Sequence, residues 1–245
     1  MKPSIRILLT GAGSPAAFGV IKSLRLSDAY HFEFVCMDSS PNASGFYLAD
    51  RIVVGPKATD EAFVPFILQI CENEKIDLIF SLVTGELIKL ASIQDKLAEI
   101  GTSILISSVA ALTDAIHKGK LYARLRKSGI ETPKFYVVHT PAELIEAIHA
   151  LGYPQQPVCF KPTVTDGSRG FHIIDRSVDR RRLLFYEKPN SAFISISELH
   201  DVICREKTLP ELIVMEYLPH EEYSVDVLAD EGNVIVAVPR LREAT

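Results

Sequence analysis

The stretch Val158–Ile174, "VCFKPTVTDGSRGFHII", is an apolar run that ends in Lys161 and Pro162, breaks at Gly167 and Gly170, and turns apolar again. A short apolar run bounded by turn residues reads as a buried strand. It would leave an ammonium at the strand end, and burying that charge without an anion is costly. The loop that follows carries Thr165, Asp166 and Ser168 between its glycines. It is rich in donors and has no apolar anchor, which suits a lid folding over phosphates. The competing reading is a solvated hairpin with a lysine that snorkels to water.

Outward from this stretch, the downstream chain reads as three strands, "ELIVMEYL", "EYSVDVLA" and "VIVAVPRL", the last two joined by the hairpin turn "DEGN". Upstream, Thr140-Pro141-Ala142-Glu143 forms a capping box with proline at the first helical position. Its helix is expected to run to about Ala150. Gly129 suits a helix C-terminus and Pro133 blocks resumption, so a strand begins near Phe135. The second half is therefore α+β with mainly antiparallel strands.

The first half alternates differently. "IRILLT", "HFEFVCMD", "RIVV", "DLIFSLV" and "SILIS" read as strands. Helices lie between them, one of them spanning "ELIKLASIQDKLAEI" on the spacing of Leu87, Leu90, Ile93, Leu97 and Ile100. Strands separated by helices of this length imply right-handed crossovers and a parallel, Rossmann-like sheet. A polar helix is expected over "ALTDAIHKGKLYARLRK". The boundary implied by this change of texture divides the chain into 1–112 and 113–245.

"TGAGSPAAFG", Thr10 to Gly19, stands where the first strand meets the first helix, and Asp38 ends the second strand. Glycines there let a ligand approach backbone N–H groups at a helix N-terminus. The G-x-G-x-x-A spacing is only a permissive match to a dinucleotide fingerprint, since Ala16 replaces the last glycine and Pro15 removes a donor. Gly11, Gly13 and Ser14 are candidates for substrate binding, and a tight turn packing helix on sheet would use the same glycines.

With 245 residues, 47% hydrophobic, the chain is long enough for one large or two modest cores. A net charge of -5 argues against a nucleic-acid or anionic-membrane partner held by bulk electrostatics. No apolar run approaches a membrane span and no leader pattern opens the chain, so the cytoplasm is the expected compartment. Cys36, Cys71, Cys159 and Cys204 are far apart and lack metal spacing, so they read as reduced core thiols.

Taken in order, the helix with Lys120, "GIETPKF", "CFKPTVTDGSRGFHII" and "VMEYLPHEEYSVDVL" resemble the ATP-grasp superfamily, most closely members like the large subunit of carbamoyl phosphate synthase. The resemblance implies a Rossmann-like pre-ATP-grasp domain followed by an ATP-grasp domain that lacks its C-terminal part. It implies ATP and Mg2+ as cofactors, a small carboxylate as substrate, and a ligase that makes an acyl phosphate for capture by an amine or ammonia. Lys120 and Lys161 would contact phosphates, with Thr165, Asp166, Gly167, Ser168 and Gly170 in the glycine-rich loop. Met215, Glu216, Tyr217 and Leu218 would hold adenine, Glu222 the ribose, and Arg240 and Arg242 the γ-phosphate or the substrate carboxylate. The magnesium ligands are expected beyond Thr245, because Asp226 and Glu243 could not replace both. A homodimer is compatible with this reading. Two others stay open: a nucleotide-binding regulatory module without catalysis, and a nicotinamide-dependent oxidoreductase using the Gly11 loop and Asp38.

Overall fold

The computed structural model describes residues 2–165, 167, 169–186 and 192–242. Asp166, Ser168 and Glu243, named above, lie outside the described residues. The chain forms two compact units, Met1–Arg124 and Leu125–Thr245.

In the first unit β1 (Ser4–Thr10), α1 (Pro15–Arg25), β2 (His31–Asp38), β3 (Arg51–Val54), α2 (Phe63–Glu74), β4 (Leu78–Ser81), α3 (Thr84–Ala91), α4 (Gln94–Glu99) and β5 (Ser103–Ile104) follow in order. The strands are all parallel, in the order β3-β2-β1-β4-β5. Side-chain alternation gives each sheet face its own core. Ile7, Leu9, Phe34 and Cys36 pack with Ala17 and Ile21 of α1. Leu8, Val35, Met37 and Ile79 pack with Phe63 and Ile67 of α2 and with Leu90 and Leu97. This is the parallel-sheet domain expected from the alternating pattern.

The helix expected from Glu86 to Ile100 is two helices. The Ser92 hydroxyl donates to the Lys89 carbonyl at 2.7 Å, and Ile93 sits at φ -113°, ψ 13°. A serine bonding back into its own helix competes with the backbone ladder. Leu90, Ile93 and Leu97 still share one core, which is why the apolar spacing hid the break. The polar helix likewise divides into α5 (Val109–Ile116) and α6 (Lys118–Lys127), with His117 extended between them.

The second unit contains β6 (Phe135–Val138), α7 (Pro141–Ala150), β7 (Val158–Pro162), β8 (His172–Ile174), α8 (Arg180–Phe185), α9 (Ile196–Ile203), β9 (Leu212–Glu216), β10 (Glu222–Asp230) and β11 (Asn233–Arg242). An antiparallel sheet runs β6-β9-β7-β8, and β10 and β11 form a separate hairpin. The hairpin turn places Glu231 at φ 44° and Gly232 at φ 83°, the backbone twist that two-residue hairpin loops favour. Val138, Val158, Phe160, Leu212 and Val214 face α7 and α9, packing on Leu144, Ile148, Leu199 and Ile203. Both helices carry complete capping boxes, Thr140–Glu143 and Ser195–Glu198. Hydrogen bonds from the cap backbone hold the Glu143 and Glu198 carboxyls below the usual carboxylate range.

Cys36, Cys71 and Cys159 are buried free thiols, but Cys204 is exposed at the end of α9, which corrects its assignment to the core. Among the described residues no helix is long and apolar enough to cross a membrane.

Candidate functional site

In the second unit the site is built from the sheet face turned away from α7 and α9. Period-2 alternation puts Cys159 and Lys161 of β7 on that face with Ile213 and Met215 of β9. Cys159, Ile213 and Met215 are buried and Lys161 is half-buried, so the lysine stands at the edge of an apolar strip. Its ammonium lies 6.0 Å from the Phe171 ring centroid. No ion pair reaches it among the described residues. Burial pushes the Cys159 thiol up to about 11, and the Lys161 charge opposes this only in part. That thiol is therefore protonated at neutral pH and is no nucleophile.

The loop after β7 closes on itself. Thr163 is buried and donates to the Glu211 carboxylate at 2.6 Å, anchoring the loop's first residue to the start of β9. The Thr165 hydroxyl donates to the Arg169 carbonyl at 3.2 Å. Gly167 and Gly170 lie at φ +60° and +69°, and a Cβ on Gly170 would stand 2.8 Å from Pro162 Cδ. Only glycine lets the end of the loop pack this closely over its beginning.

Met215 and Glu216 end β9, where Glu216 pairs with Val158, and Tyr217 N–H reaches the Pro157 carbonyl at 3.4 Å. Glu216 also accepts from Lys134 N–H at 2.8 Å. Leu218 is exposed. Along β7 the step from Val158 to Lys161 is about 10 Å at the usual strand rise, comparable to the reach of a nucleotide from base to phosphate. On the hairpin, Arg240 pairs with Asp226 at 2.7 Å and Arg242 with Glu222 at 2.5 Å, all of them exposed. Glu222, Arg240 and Arg242 therefore form cross-strand ion pairs here, and exposed pairs of this kind exchange at little cost. Lys120 is exposed on α6 in the first unit, its backbone N–H on the His117 ring at 3.2 Å.

The first unit has a pocket of its own, a cavity of about 200 Å³ at the carboxyl ends of β1, β2 and β4, where open α/β sheets bind ligands. Gly11 lines it; Gly13 and Ser14 stand beside it in the β1–α1 turn. Gly11 is at φ +71°, with its missing Cβ position 2.3 Å from Val83 Cγ2. The turn's donors are used internally: Ala12 N–H bonds to Met37 O, Ser14 N–H to Gly11 O, Gly13 N–H to Asp38 Oδ2 and Ala16 N–H to Ser14 Oγ. Ser40 N–H takes Asp38 Oδ1 at 2.8 Å. Asp38 thus braces the turn with both of its carboxylate oxygens.

Two charged pocket residues escaped the sequence reading, Lys57 and Glu86. Glu86 is buried, with Oε2 accepting from the Thr10 hydroxyl at 2.5 Å and the Ser81 hydroxyl at 3.0 Å. Burial first, and the Asp38 charge last, raise its pKa, while the two hydroxyls oppose them. An acid in the first turn of a helix that follows a parallel strand was the available signal. The helical spacing of its leucine neighbours masked it. Among the described residues no group of three or more His, Cys, Asp or Glu gathers as a metal site.

Comparison with known proteins follows the same division. Residues 7–105 match the family described as PylC-like, N-terminal domain. Residues 208–245 match the family described as ATP-grasp in the biosynthetic pathway with Ter operon. The arginine-specific carbamoyl phosphate synthase large chain of Halalkalibacterium halodurans is 25% identical, with 96% of this chain and 21% of that relative covered. This chain thus spans about a fifth of that relative's length. Among solved structures, N5-carboxyaminoimidazole synthetase from Staphylococcus aureus complexed with ADP is similar at a TM-score of 0.67 and 17% identity, covering 100% of this chain and 56% of that one. L-amino acid ligase from Bacillus licheniformis is similar at a TM-score of 0.58 and 17% identity, covering 95% and 48%. The chain is thus similar to the carbamoyl phosphate synthase large chain, with a match to a PylC-like N-terminal domain ahead of a match to an ATP-grasp family.

Proposed function

We propose that the chain serves an ATP-dependent ligase that activates a carboxylate as an acyl phosphate for attack by an amine or ammonia, with residues 1–112 as the pre-ATP-grasp domain and 113–245 as the ATP-grasp domain. The observation that carries this reading is the half-buried Lys161, which lacks an ion-pair partner among the described residues and stands between a buried apolar strip and a self-closing glycine loop. A triphosphate supplies the missing anion, and the strip takes the base. Thr165, Gly167 and Gly170 would close over the phosphates, joined by Asp166 and Ser168. Met215, Glu216, Tyr217 and Leu218 would hold adenine, and Lys120 is proposed as a second phosphate contact.

In the reaction a carboxylate oxygen attacks the γ-phosphorus and ADP leaves. An amine then attacks the acyl carbon and inorganic phosphate leaves. Cations aimed at the transferring phosphoryl group lower this barrier by electrostatic stabilisation. Arg240 and Arg242 are proposed to hold the γ-phosphate or the substrate carboxylate after exchanging their exposed partners Asp226 and Glu222. Magnesium would neutralise phosphate charge when bound. Its ligands are not assigned, because the described residues offer no cluster for it.

Calorimetric titration of the chain with ATP and with NADH tests the reading. ATP is expected to bind in preference. Tighter binding of NADH would refute it and favour an oxidoreductase built on the Gly11 turn.

A further inference from the structure

We infer that the pocket at the carboxyl ends of β1, β2 and β4 binds the ammonium end of a small primary amine, with Glu86 as the group that reads its charge. This deepens the proposed ligase reading by naming a class of acceptor, and it rests on that reading only for the amine's role in a reaction. The binding itself stands on the geometry of the first unit.

Glu86 is 7% exposed and lines the cavity. Its Oε2 is saturated by the Thr10 and Ser81 hydroxyls, whereas no donor among the described residues reaches Oε1. Oε1 is not sealed off, since among the described residues the buried side-chain atom without a partner is His172 Nδ1; it is open to the cavity that Glu86 lines, where an arriving donor can bond to it. An ammonium satisfies both the hydrogen bond and the charge.

The other carboxylate in the lining favours the same sign, and Lys57 opposes it. Asp38 adds a second carboxylate, fixed in place by Gly13 N–H and Ser40 N–H. Lys57 is exposed and carries no ion pair among the described residues. An anion entering the pocket would meet Lys57, but also two carboxylates and a turn whose backbone donors are already used. Met37, Pro56, Ala58 and Val83 give an apolar wall for a short carbon chain. A cavity of about 200 Å³ suits a molecule of amino-acid size and is too small for a dinucleotide.

The test uses three probes of one shape, butylamine, butanol and butyrate, titrated into the chain at neutral pH and followed by amide chemical shifts. Butylamine is expected to bind and to shift Gly11, Val83 and Glu86, with butanol roughly tenfold weaker and butyrate without effect. Glu86→Gln keeps both hydroxyl partners and should weaken butylamine roughly tenfold or more. Should that variant fail to fold, Lys57→Glu serves, because a third carboxylate at the pocket should tighten butylamine. The proposal is overturned if butyrate or butanol binds as well as butylamine, if Glu86→Gln leaves its affinity unchanged, if Lys57→Glu weakens it, or if butylamine moves none of these amides. ATP titrated into the same samples reports the second unit separately. Loss of ATP binding with amine binding intact sinks the ligase reading alone.

Discussion

Replacing Lys161 with methionine keeps the apolar stem and removes one charge. The ammonium stands 6.0 Å from the Phe171 ring centroid, and a partly exposed cation–π contact at that separation is worth about 0.5 kcal/mol. Removing a half-buried charge that lacks an ion-pair partner offsets this, so the unfolding free energy should move by less than about 1 kcal/mol. Nucleotide binding should respond differently. A charge-assisted hydrogen bond to phosphate is worth roughly 1.5–3 kcal/mol, so ATP affinity should fall about ten- to a hundredfold. Calorimetry with ATP and urea unfolding of the same preparations read the two quantities together. Lys207→Met, at an exposed position outside the motif, is the control and should leave both within about 0.5 kcal/mol. If Lys161→Met unfolds the protein readily while ATP affinity is unchanged, the lysine is structural and the loop is an ordinary hairpin.

Gly170→Ala forces a Cβ to 2.8 Å from Pro162 Cδ at a positive φ; ATP titration should show weaker binding, and an unchanged affinity would free the loop of any role in it. Gly11→Ala meets Val83 Cγ2 at 2.3 Å, so urea unfolding should show a loss of about 2–4 kcal/mol from crowding and left-handed strain. Adding Val83→Ala should return the crowding share and leave about 1 kcal/mol of backbone strain; no recovery would mean the two residues are not the clashing pair. Thr140→Ala breaks a complete capping box and should cost about 1 kcal/mol in the same assay. Because the Glu86 pKa is raised on folding, mainly by burial, the folded state holds its proton more tightly. Its stabilising share is full below the ordinary glutamate range and is lost as pH rises through the raised value. The stability difference between wild type and Glu86→Gln should therefore shift toward the variant as pH climbs through that window, and a pH-independent difference would refute the assignment.

What could be read from the sequence and what could not divide along the range of the forces involved. The parallel sheet, the hairpin turn and the Thr140 cap depend on period-2 runs, glycine placement and contacts within four residues, all of which are local. The lysine-loop stretch was legible because it breaks a local rule, a charge closing an otherwise buried strand. The double helix breaks at Ser92 and His117 were not, since apolar spacing records which face is buried and is silent about continuity. Glu86 failed for a deeper reason. In sequence it is an ordinary first-turn acid. Its burial comes from Thr10, far away in the chain, and from a pocket wall supplied by three strands. The same fact gives it meaning. A carboxylate that residues distant in the chain bury is positioned by the whole sheet, so the role proposed for it is one that no local pattern could encode.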